Sequence, residues 1–154
     1  MDKDGLIAEL TANSHLRTPE EIRTFDKALE ELSENSALES KDLSKLFMVF
    51  EDDCQDEEVM FGLVHFVEDF DLTDLLRTFI EVVPQLSAKA PRWTKLFHYR
   101  ILNSDKARPL FKEMLRAADS ATQGIIRKTL EEIATTESPP LSTRASFVLD
   151  TESG

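Results

Sequence analysis

The chain has 154 residues and a formal charge of −12 at pH 7, with only four glycines and six prolines, which suits one ordered domain with a real core. The β-branched runs of a β-sandwich are missing, and an acidic surface repels nucleic acid and anionic membranes. A single cysteine, Cys54, permits no internal disulfide, and no stretch forms a secretory h-region or spans a bilayer, so a cytoplasmic protein is expected.

Taken in order, residues 4–12 make a short helix that frays towards Asn13-Ser14. Thr18-Pro19-Glu20-Glu21 is a clear second start, with a cap at Thr18, proline at the first helical position and Glu21 placed for a capping box. That helix runs to about Glu34 on a stripe of Ile22, Phe25, Leu29 and Leu32, and Asn35-Ser36 closes it. A third helix follows Ser40 and runs to Phe50, burying Leu43, Leu46, Phe47 and Phe50. The fourth spans about 57–69, with Val59, Met60, Leu63, Val64 and Val67 at helical spacing. Gly62 in its middle costs about 1 kcal/mol relative to alanine and is read as room for a neighbouring helix.

Asp71 or Thr73 caps a fifth helix to about Val83, and Pro84 ends it or begins a one-turn continuation. Ala90-Pro91 opens a sixth, with Trp93, Leu96, Phe97 and Ile101 as its stripe and Asn103 as its C-cap. Arg100 lies on the same stripe and needs a carboxylate or carbonyl partner, for which Glu68 is the natural choice. Two further helices cover about 106–118 and, after Ser120, to about Thr135. These elements predict an all-α protein in which antiparallel helical hairpins stack as a HEAT- or armadillo-like single domain over residues 1–137. A Pro/Ser/Thr-rich C-terminal tail, 138–154, follows, loose or with a short extended segment at 144–150.

Charge is unevenly spread along this array. Residues 1–70 carry 19 acids against 6 bases, whereas 71–154 carry 11 against 12. The most polarised stretch is 46–76, with ten acids and no lysine or arginine. Asp56, Glu57 and Glu58 sit at the start of the fourth helix, where the dipole favours them. Glu51, Asp52 and Asp53 follow the third helix, where it does not, so a purpose other than helix stability is expected for them. With Asp69 they are the candidate contact residues for a basic partner.

Catalytic patterns are missing. The sequence has no glycine-rich phosphate loop, nucleophile elbow, Cys-x-x-Cys or His-Glu-x-x-His. His65 lacks a second ligand at metal spacing, and the acids at 52–56 have neither the alternation nor the glycine of an EF-hand. No enzyme activity, cofactor or metal is therefore expected.

Two stretches together resemble a known family: LFMVFEDDCQDEEVMFGLVHFVEDFD (46–71) and VVPQLSAKAPRWTKLFHYRILNS (82–104). Their Asp-Asp loop, the GLVH-x-x-E helix with Gly62, His65 and Glu68, the proline-led helix of Trp93, and the Arg100-Ile-Leu-Asn103 ending are similar to bacterial immunity protein 30 sequences. These accompany polymorphic and contact-dependent growth-inhibition toxins. The resemblance implies a non-catalytic inhibitor that binds the C-terminal domain of a cognate toxin, with Gly62, His65, Glu68, Trp93, Arg100 and Asn103 as its structural motif. An acidic surface suits a nuclease toxin, whose substrate-binding face is basic. The rival readings are a helical adaptor or chaperone-like module and, less favoured, a carboxylate-metal hydrolase.

Overall fold

The computed structural model describes residues 1–35 and 37–151. Among them the chain is all-α, 75% helical, with nine helices and no strand. They are α1 (Lys3–Ala12), α2 (Pro19–Asn35), α3 (Ser40–Phe47), α4 (Glu57–Glu68), α5 (Leu72–Lys89), α6 (Pro91–Leu102), α7 (Ala107–Arg116), α8 (Ser120–Thr136) and α9 (Leu141–Leu149). The chain divides into two compact units, 1–78 and 79–154, and the division falls inside α5.

In the first unit, side chains cap the helices where the sequence asks for it. The Glu21 N–H donates to Thr18 Oγ1 at 3.1 Å, the Val59 N–H to Asp56 Oδ1 at 3.1 Å, and the Asp74 N–H to Asp71 Oδ2 at 3.2 Å. Asp71 rather than Thr73 thus caps α5. The expected stop at Asn35-Ser36 lies partly outside the described residues, since α2 reaches Asn35 and Ser36 is not among them. Phe25, Leu32, Leu43, Phe47, Phe50, Met60, Leu63 and Val67 are all fully buried. α3 ends at Phe47, not at Phe50 as expected. Val49 and Phe50 close a turn through bonds to the Leu46 and Phe47 carbonyls at 3.1 and 3.3 Å, and both side chains are completely enclosed. Burial continues past the end of the helix, so apolar spacing alone overran it.

One buried polar side chain helps to order this unit. Asp42 accepts from Lys3 Nζ at 2.9 Å and from the Glu39 N–H at 2.8 Å through Oδ2. Its side chain is wholly inaccessible, and it ties α1 to the start of α3. Although burial works against its charged form, these two bonds and the Lys3 charge hold its carboxyl below the usual value.

In the second unit α5 runs straight through Pro84 to Lys89. The missing N–H deprives one carbonyl of its helical donor, but Val83 and Leu86 on either side are fully buried and hold the turn in place. Phe79 and Phe111 flank His98, and Phe97 packs on Phe79. The Phe79 ring lies 5.7 Å from Phe97 and 6.3 Å from Phe111, while His98 meets Phe79 at 5.3 Å and Phe111 at 6.1 Å, edge-on to both. His98 Nδ1 bonds the Thr94 carbonyl at 2.8 Å, and Nε2 is buried without a hydrogen-bond partner among the described residues. Burial pushes this imidazole down to about 4, the Thr94 bond offsetting part of the effect. The expected core residues Trp93, Phe97 and Ile101 are buried as well.

The extended segment expected at 144–150 is instead part of a helix. α9 follows Pro139-Pro140 and buries Ala145 and Val148. It packs on α8 and α7 within the second unit. Lys112 Nζ reaches across from α7 to the Phe147 carbonyl at 2.8 Å and lies 4.5 Å from the centre of the Phe147 ring. Prolines at the start of a helix lose no bond, so the pair that opens the expected loose tail acts as a helix start.

Candidate functional site

Residues 48–56 form the loop between α3 and α4, and the candidate contact residues begin there. Glu51 and Asp52 are half-buried and Asp53 is exposed. Because α3 stops at Phe47, these acids lie beyond the last helical turn, where the dipole effect has faded. The helix-terminus argument for a separate purpose therefore fails. Bases from elsewhere in the sequence also reach them. Arg17 pairs with the Asp53 carboxylate, and His15 Nε2 lies 3.5 Å from Glu51 Oε1.

The neighbouring acids divide by role. Asp56 caps α4, whereas Glu57 and Glu58 are exposed in its first turn. Asp26 on α2 has its carboxyl pushed up by desolvation and then by the charge of Asp56. Asp69 is the C-cap at the far end of α4, a twelve-residue helix about 18 Å long. The fold thus gathers Glu51 to Glu58 and leaves Asp69 apart from them. His65 is exposed on the same helix, 6.3 Å from the Phe61 ring and 3.9 Å from Glu68.

The remaining motif residues have structural positions. Leu29 of α2 approaches Gly62, but a Cβ there would meet Leu29 Cδ2 at 3.5 Å, an ordinary contact, so close helix packing does not demand the glycine. Trp93 is buried near the start of α6. Arg100, which the sequence places on the apolar stripe of α6, is half-buried. Asn103 is the C-cap of α6 and accepts from Arg144 Nη1 at 2.8 Å.

Sequence reasoning missed His15 and Arg17, which belong to the site by geometry. They lie 36 to 38 residues from Asp53, and their only signal was a basic pair within a strongly acidic half. Among the described residues no group of three or more His, Cys, Asp or Glu is arranged to hold a metal, and no helix is long and apolar enough to cross a membrane.

No curated protein and no solved structure matches the chain. A family does: the sequence model for immunity protein 30 matches residues 12–111. That span includes the 13–18 linker, the acidic loop, α4 and the Trp93 helix. The chain therefore belongs to the immunity protein 30 family.

Proposed function

We propose that the protein binds and neutralises a cognate toxin domain in the cytoplasm, without catalysis, through the acidic surface of its first unit. The favoured target is a nuclease domain, whose basic substrate-binding face the acids would cover. Family membership supports the toxin partner. The observation that carries the choice of surface is the partition of charge: residues 1–78 have 21 acids and 7 bases, residues 79–154 have 9 and 11. A field of one sign speeds encounter with a surface of the other.

The contact region we favour is Asp52 with Glu57 and Glu58, because both glutamates are exposed in the first turn of α4 and Asp52 lies in the loop that leads into it. The test uses the toxin domain that co-purifies with the chain. Replacing Asp52 by Asn and both glutamates by Gln is expected to slow association about tenfold, flatten its salt dependence and reduce protection of toxin-exposed cells. An unchanged association rate in the folded variant overturns the acidic-surface reading.

A further inference from the structure

The linker between α1 and α2, residues 13–18, grips the acidic loop through both main chain and side chains. The Gln55 N–H donates to the His15 carbonyl at 2.9 Å, and His15 Nδ1 lies 2.7 Å from the Asp53 carbonyl. A carbonyl only accepts, so Nδ1 carries the hydrogen of that bond. Arg17 adds its ion pair to the Asp53 carboxylate. His15 and Arg17 thus hold one loop residue by its backbone and its side chain together.

Between them Leu16 has φ of 51°, in the left-handed region that a leucine rarely adopts. Its N–H bonds the Asn13 carbonyl at 3.2 Å and its side chain is 1% exposed. Such strain persists only where the surroundings over-determine it, and it concentrates at functional sites. Here the buried Leu16 side chain fixes the linker from within, while its two neighbours hold the loop.

We infer that His15 and Arg17 are positioning residues for toxin recognition: they clamp the 48–56 loop so that Asp52 and the first turn of α4 meet the partner preformed. The inference rests on the acidic-surface reading above. A nine-residue loop ordered in advance does not have to be ordered on binding, and the saved entropy appears as affinity. It also gives Glu51 and Asp53 a part in recognition without requiring that they touch the toxin.

The experiment reads the clamp and its consequence separately. Amide hydrogen exchange on the free protein reports the Gln55 bond, and binding to the co-purifying toxin domain reports recognition. The His15→Ala/Arg17→Ala variant should speed Gln55 exchange about tenfold and weaken binding by a similar factor, with α4 amides unaffected. His15→Asn keeps a donor where Nδ1 stood, so in the Arg17 background it should restore most of both. Unchanged Gln55 exchange overturns the clamp and leaves the acidic-surface reading standing. Faster exchange with unaltered affinity overturns the positioning role. The Asp52, Glu57 and Glu58 replacements, measured in the same assay, decide the acidic surface independently. Should the double variant lose its helical circular dichroism, His15→Ala against His15→Asn makes the same comparison.

Discussion

Residues 1–78 and 79–154 both bury phenylalanine-rich helical cores, yet one unit carries 14 net negative charges and the other 2 net positive ones. The contrast extends inward. The enclosed polar group that ties the first unit together is a carboxylate, Asp42, held in its charged form by Lys3 and a backbone N–H. In the second unit it is an imidazole, His98, held neutral by aromatic rings. Similar apolar cores thus accompany opposite net charge in the two units.

Three experiments test how deep the contrast goes. Phe25→Ala and Phe111→Ala each remove a fully buried ring, one per unit, and each is expected to cost about 3–5 kcal/mol in urea unfolding. Matching losses confine the difference to surface and polar groups. A loss of only about 1 kcal/mol at Phe25 would extend it to the packing itself.

The titration experiment is next in size. An unfolded histidine takes up a proton near pH 6.5, whereas folded His98 refuses it until about pH 4. Stability from this residue is therefore complete above pH 6.5 and declines as pH falls towards 4, by about 2–3 kcal/mol. Asp42 has the opposite window: its carboxyl is depressed, so its contribution is present above the ordinary carboxylate value and disappears only below it. Urea midpoints between pH 7 and pH 3 should show both losses, and His98→Phe should remove the first alone. A profile that His98→Phe leaves unaltered breaks the contrast between the two buried groups.

The smallest effect concerns one glycine in each unit. A Cβ on Gly62 would make one ordinary contact, and a Cβ on Gly124 would meet nothing within 4 Å. Alanine at either position is expected to raise stability by up to about 1 kcal/mol, read as a higher melting temperature. A loss at Gly62 alone would show α2 and α4 pressed closer than their contact distances indicate.

Most of the helical framework was legible because its apolar residues recur with one period and its caps carry distinctive side chains. Thr18, Asp56, Asp71 and Asn103 each mark a terminus that the structure confirms. The misreadings share a cause. At Val49-Phe50 and Pro139-Pro140, burial or a helix start gave a different result from the local rule, whereas at Pro84 the helix continues, as one of the two expected outcomes had it. The acidic surface was legible as composition only. That Asp53 meets His15 and Arg17 was not legible, because contacts across 36 to 38 residues have no local signature.

The engagement of Lys112 with α9 has a chemical consequence. Most lysines of the chain are exposed amines, open to acylating reagents at any moment, whereas this one is 7% exposed and hydrogen-bonded to the Phe147 carbonyl. Its acylation is expected to be slow until α9 lifts away. Lys112 is thus a built-in clock: the rate of its acylation, read by mass spectrometry, counts the openings of the C-terminal helix.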